Sequence, residues 1–141
     1  MILFYEKTKF KLKNKLILKK WIKNTCREER KDIGDVSVIL YDSEDFLKIN
    51  LRYLNHNSMT DVITFDYTIK NKINGDIFIN IDYVTANSKK YETKFENELY
   101  RVIIHGVLHL LNYNDKTKKE KDEMRKKEDF YLLLLKNLNI N

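Results

Sequence analysis

The chain contains no proline, three glycines, one cysteine and three histidines among its 141 residues. The lone Cys26 has no partner for an internal disulfide and cannot build a thiolate metal cluster, so it reads as a small apolar residue on the inner face of the first helix. Long apolar runs are missing too. The longest aliphatic stretch is Leu132 to Leu135, far short of a membrane span, and no membrane role is expected. Met1-Ile2-Leu3-Phe4-Tyr5-Glu6 is followed by lysines and lacks the order of a signal peptide, which makes the cytoplasm the expected location. No repeat, linker or low-complexity segment divides the sequence. Its length and 43% hydrophobic content suit one domain over residues 1–141, built on a single core.

Acidic residues are outnumbered 21 to 27 by basic ones, for a net charge of +6. The excess is clustered. Lys7, Lys9, Lys11, Lys13, Lys15, Lys19, Lys20 and Lys23 crowd the front of the chain, and Lys116, Lys118, Lys119, Lys121, Arg125, Lys126 and Lys127 follow a histidine-bearing segment. Such surface suits a polyanion, because each phosphate contact adds salt-dependent affinity. The alternative is that these lysines only keep a solvated face in water.

Two of the three histidines stand at i and i+4 in Arg101-Val102-Ile103-Ile104-His105-Gly106-Val107-Leu108-His109-Leu110-Leu111. On a helix that spacing projects both imidazoles from one face, about one turn apart, so both can reach one divalent ion. A single histidine on an apolar helix is usually a satisfied boundary residue, and a third ligand decides between the two readings. Asn112-Tyr113-Asn114 are turn formers that end the helix and fold the chain back, which brings Asp115 forward as that ligand. The layout has the form of the zincin proteases, which place a general-base Glu directly after the first His. Here that position is Gly106, so a metalloprotease is the weakest of the enzyme readings.

His105-Gly106-Val107-Leu108-His109-Leu110-Leu111-Asn112-Tyr113-Asn114-Asp115 resembles the motif His-Gly-x-Leu-His-Leu-x-Gly-Tyr-Asp-His of the YbeY-type metal-dependent single-strand endoribonucleases. The resemblance extends upstream. Ile49-Asn50-Leu51-Arg52-Tyr53-Leu54-Asn55-His56-Asn57-Ser58-Met59-Thr60-Asp61-Val62-Ile63-Thr64-Phe65 is similar to the family's Leu-Asn-x-x-Tyr-Arg-x-x-Asp-x-Pro-Thr-Asp-Val-Leu-Ser-Phe segment. Gly75-Asp76-Ile77 matches its Gly-Asp-Ile strand, and Met124 and Glu128 match positions after the metal loop. Together these blocks span roughly the last two thirds of the chain.

The resemblance implies one Zn2+ per chain, or another divalent ion, held by His105, His109 and Asp115, which act in catalysis through the water on the metal. It also implies single-stranded ribosomal RNA as substrate, action in 16S ribosomal RNA 3′-end maturation and ribosome quality control, and the ribosome or small-subunit assembly factors as partners. Arg52, Asp61 and Glu128 are candidates for substrate contact or for orienting the ligands; Glu128 would accept from a histidine's second ring nitrogen. Three departures stand out. Asp115 takes the place of the family's third His, Asn112 that of a turn glycine, and Leu54 that of an arginine facing the RNA phosphate. Arg52 sits on a different helical face from Leu54. Leu54 keeps open a second reading, an RNA- or ribosome-associated metalloprotein of little or no catalytic activity whose metal is structural. His56 has no family counterpart and is read as a loop residue.

The expected architecture is α+β, a small mixed sheet of about four strands packed with about five helices, one of them a zincin-like metal helix. Strands are expected at Phe4-Tyr5, Val36–Leu40, Asp61–Tyr67 and Asp76–Ile81, the last two as a hairpin, with a break at Gly34. Helices are expected at Leu12–Cys26, at Ser43–Tyr53 with Ser43 as cap, at Tyr83–Lys90, at Lys94–Leu111, and from a Thr117 cap to Lys136. In the last helix Met124, Glu128, Tyr131, Leu132 and Leu135 fall on one stripe.

Overall fold

The computed structural model describes residues 1–54 and 60–138, apart from the side chains of residues 53 and 54. His56 and the side chain of Leu54 therefore lie outside the described residues. In chain order the elements are β1 (Ile2–Lys7), α1 (Lys15–Glu28), β2 (Asp32–Tyr41), α2 (Ser43–Leu54), β3 (Val62–Asp66), β4 (Lys72–Asn80), α3 (Ile81–Lys90), α4 (Phe95–Leu110) and α5 (Lys118–Asn137). The α+β expectation of a four-stranded mixed sheet with five helices holds among the described residues.

The sheet runs β1-β2-β4-β3. β1, β2 and β4 are parallel, and α1 supplies the crossover that parallel neighbours β1 and β2 need. β3 returns antiparallel to β4 as the expected hairpin and forms one edge. Period-two burial puts Val36, Val38 and Leu40 of β2 beside Ile77 and Ile79 of β4 on one buried face. Trp21, Ile22 and Cys26 of α1 and Ile103, Ile104 and Val107 of α4 join the same core. Burial pushes the Cys26 thiol up to about 12, so it stays neutral and serves as packing.

Several boundaries moved, each for a local reason. β1 begins at Ile2, a buried residue, rather than at Phe4. α1 begins at Lys15, not Leu12, because Asn14 takes a left-handed conformation (φ 62°) and the Leu12 N–H donates to the Glu6 carboxylate at 2.8 Å. Gly34 does not break the chain. β2 runs through it with a register shift between Ile33 and Val36, and a Cβ there would lie 2.3 Å from Asn74 Oδ1. Ser43 is the first residue of α2 rather than its cap; its N–H donates to Asp82 at 2.8 Å and its hydroxyl to Asn80 at 3.0 Å. The Asn80 side chain itself caps α3, which is why α3 starts at Ile81. Thr117 caps α5 as expected, in a capping box with Glu120.

The sheet and the histidine helix approach closely through Gly106. A Cβ on Gly106 would meet Ile77 Cγ2 at 2.6 Å, closer than real contacts allow. The helix therefore carries glycine where a zincin carries its base, because that position faces β4 and not the imidazoles. Gly106→Ala should cost about 1–3 kcal/mol through overpacking, against a helix-propensity gain of about 1 kcal/mol. Urea unfolding of the variant checks this: a lowered midpoint is expected, and a raised one would mean that Ile77 gives way freely.

Candidate metal centre

The exposed ends of two half-buried imidazoles meet above α4. His105 Nε2 and His109 Nε2 lie 2.9 Å apart, their rings nearly perpendicular at 84°. Asp115 Oδ2 completes a triangle, 3.2 Å from the first nitrogen and 3.4 Å from the second. Three sequence-predicted residues are thus brought together. They form a group able to hold a metal ion.

Asp115 reaches that point because α4 ends in a defined reversal. The Tyr113 N–H donates to the Leu108 carbonyl and the Asn112 N–H to the His109 carbonyl, both at 3.0 Å, with Asn112 at φ 74°. That is the Schellman pattern, and asparagine tolerates its left-handed residue better than most side chains. The turn sends the Tyr113 carbonyl back to His109 Nδ1 at 3.0 Å, so the backbone orients one imidazole while the next residues deliver the carboxylate.

The other imidazole is oriented by a side chain. Oε2 of Glu128, a buried residue of α5, lies 2.6 Å from His105 Nδ1, and its other oxygen accepts from Arg101 at 2.8 Å. Burial would raise the Glu128 carboxyl, yet His105 and Arg101 outweigh that and hold it below the usual carboxylate range. An ionised carboxylate and a carbonyl only accept, so both histidines carry their proton on Nδ1 and turn a lone pair outward on Nε2. With both rings neutral, two lone pairs and a carboxylate oxygen face one another with no donor between them. A cation relieves that repulsion. Without one the two rings diverge: burial lowers His105, but Glu128, Asp115 and Asp61 raise it overall, while burial and the neighbouring His105 hold His109 down.

The donor set fits a small divalent ion. Bonds of about 2.0–2.1 Å at tetrahedral angles place ligand atoms about 3.3 Å apart, against the 2.9, 3.2 and 3.4 Å found. Among the described residues the group has three members, one fewer than a tetrahedral set.

A family model described as endoribonuclease YbeY matches residues 3–136. The chain belongs to the YbeY family. Relatives named endoribonuclease YbeY include one from Karelsulcia muelleri, 47% identical over 136 residues and covering 96% of each chain. Another, from Amoebophilus asiaticus, is 46% identical over 140 residues, covering 98% of this chain and 95% of its own. A third, from Flavobacterium johnsoniae, is 43% identical over 129 residues, covering 92% and 93%. The solution structure of a Thermotoga maritima protein aligns with a TM-score of 0.68 at 27% identity, over 96% of this chain and 89% of that one.

Of the other YbeY-pattern candidates, Glu128 touches His105 directly, whereas Asp61 reaches it only electrostatically. Burial raises the Asp61 carboxyl while the His105 charge opposes that. Arg52 is an exposed residue in the last turn of α2, and the partners described for the two histidines and Asp115 do not include it. After the loop, Lys116, Lys118, Lys119, Lys121, Arg125 and Lys126 are exposed, but Lys127 is occupied by Glu29 at 3.3 Å.

Two residues escaped sequence reasoning. Arg101 lies one turn before His105 on the same face, a spacing that could have exposed it. Glu29 could not have been found locally, for its partners Tyr113 and Tyr131 are 84 and 102 residues away. Burial raises the Glu29 carboxyl, but Tyr113, Tyr131 and Lys127 donate to it and bring it below its ordinary value. A folded-state pKa below the unfolded one contributes stability above the carboxylate range, and that contribution is lost as pH falls through the lowered value. Glu29→Gln should therefore flatten the acid side of the stability profile of metal-free protein. An unchanged slope in urea midpoints against pH would contradict the pairing.

The turn makes its own prediction. Asn112→Gly should keep metal affinity, whereas Asn112→Val, β-branched at positive φ, should lose about 1–3 kcal/mol of stability and bind metal more weakly. Calorimetric metal titration of both variants checks this; equal affinities would show that the turn does not set the site.

Proposed function

We propose that this chain is a single-strand-specific, metal-dependent endoribonuclease of ribosomal RNA maturation, a single domain holding one Zn2+ through His105, His109 and Asp115. The convergence of the two Nε2 atoms with Asp115 Oδ2 carries the reading. Membership in the YbeY family supplies the reaction class. Two imidazoles and a carboxylate are a competent zinc set. When bound, the ion supplies a Lewis acid at a phosphodiester oxygen and makes a water acidic enough to act near neutral pH.

The chain's own residues do the rest. Glu128 and the Tyr113 carbonyl hold the two imidazoles in the tautomer that presents Nε2. Asp61, a carboxyl raised by burial and within electrostatic reach of His105, is a candidate for contact with the substrate or for orienting the ligands. Gly106 rules out the zincin base, since its position faces Ile77. The exposed lysines after the loop bind phosphates, and Arg52 is the candidate to reach the strand from α2. The proposal extends to 16S ribosomal RNA 3′-end processing and ribosome quality control, with small-subunit assembly factors as partners and the cytoplasm as location. Among the described residues no helix is long and apolar enough to cross a membrane.

Leu54, where the YbeY pattern has an arginine, favours a second reading in which the chain binds RNA and its metal is structural. Cleavage separates the two. Protein purified without a metal-binding tag should carry about one zinc per chain and cut single-stranded ribosomal RNA in preference to duplex, while His109→Ala should lose more than about 100-fold in rate. Metal without cleavage would transfer the assignment to the binding reading, and absence of metal would remove the site.

A further inference from the structure

The carboxylate of Glu29 gathers three donors from two other parts of the chain. Tyr113 Oη donates to Oε1 at 2.5 Å, Tyr131 Oη donates to Oε2, and Lys127 Nζ lies 3.3 Å from the same Oε2. Glu29 follows the last residue of α1, Tyr131 and Lys127 belong to α5, and Tyr113 belongs to the loop between His109 and Asp115. The Lys127 ammonium also sits over the Tyr113 ring, 5.6 Å from its centroid. The framework behind this cluster is firm. Tyr131 is fully buried and its carbonyl accepts from Trp21 Nε1 at 2.7 Å, which locks α1 to α5.

Tyr113 is the point at which this cluster meets the metal centre. Its carbonyl takes the proton of His109 Nδ1, and its Cα lies two residues from Asp115. Besides this bond, the reversal is held by the two backbone bonds of the Schellman turn and, at its far end, by the Lys116 N–H, which donates to Glu120 at 3.3 Å. We propose that Glu29 is a positioning residue for the metal loop: by anchoring the Tyr113 hydroxyl to the α1–α5 framework it sets the Tyr113 carbonyl against His109 and Asp115 against the two imidazoles, a role that presupposes the metal reading of that site. Glu29 touches neither metal ligand nor substrate. It is a fixed post, and Tyr113 is the arm that transmits its position. Tyr131 hydrogen-bonds the same carboxylate but belongs to α5 and not to the loop, which makes it the control.

The test compares Glu29→Gln, Tyr113→Phe, Tyr131→Phe and the Glu29→Gln/Tyr113→Phe double variant in the full chain. One readout is the rate at which zinc-loaded protein releases zinc to a chromophoric chelator; the other is amide hydrogen exchange of Tyr113 in metal-free protein, with thermal stability measured alongside. Outer partners of metal ligands typically matter by about 10–100-fold in affinity. Glu29→Gln and Tyr113→Phe should each speed zinc release about tenfold, the double variant should be no faster than either single one, and exchange of the amide at position 113 should rise in all three. Tyr131→Phe should lower stability with a smaller change in zinc release. If Glu29→Gln loses stability but releases zinc and exchanges Tyr113 at the wild-type rate, Glu29 is only a packing group and the proposal fails. If wild-type protein holds no zinc, the metal reading fails, and unchanged Tyr113 exchange would then overturn the anchoring role separately.

Discussion

Three hydrogen-bond acceptors converge on one point at the surface of this protein, and the surrounding structure is arranged to keep them there. Two neutral imidazole nitrogens 2.9 Å apart, with a carboxylate oxygen within 3.4 Å of both, repel one another unless a proton or a metal cation lies between them. The arrangement persists because each acceptor is held from behind. Glu128 fixes His105, the Tyr113 carbonyl fixes His109, and the Schellman turn at Asn112 fixes the path to Asp115. Both imidazole supports depend on α5. Glu128 belongs to that helix, and Tyr113 is tied to it through Glu29, Tyr131 and Lys127.

The same constraint explains the close approach of α4 to the sheet. The helix must turn its histidines outward while burying Val102, Ile103, Ile104, Val107 and Leu108, so the residue between the two histidine turns faces β4. A Cβ at Gly106 would press on the Ile77 side chain at 2.6 Å. A base in that position would point into the core. Carboxylates near the imidazoles therefore come from other elements: Glu128 from α5 and Asp61 from the start of the β3 hairpin.

Much of this was legible in the sequence, because the informative signals are local. The i, i+4 histidines, the turn-forming Asn112-Tyr113-Asn114 and the Thr117 cap each depend on a few neighbouring residues, and each formed as read. Boundaries set by distant contacts were not legible. Gly34 reads as a break because glycine usually punctuates a strand, yet β2 continues through it, and a Cβ there would come within 2.8 Å of the Ile73 carbonyl on β4. Ser43 reads as a cap, but Asp82 and Asn80 on the neighbouring α3 start claim its polar groups. Glu29 carried no local signal at all, since its meaning arises only when α1, the loop and α5 are packed together. The family pattern supplied the RNA expectation, which composition alone left open between a polyanion-binding surface and an ordinary solvated one.

The most direct test of the central claim, that these three atoms hold a divalent ion, is X-ray absorption at the zinc edge on protein loaded with one equivalent of zinc. The account predicts only nitrogen and oxygen neighbours at about 2.0–2.2 Å, with the scattering of two imidazoles and one further light ligand beyond the carboxylate. A thiolate distance near about 2.3 Å, fewer than two imidazoles, or a spectrum unchanged by His105→Ala would place the ion elsewhere and contradict it.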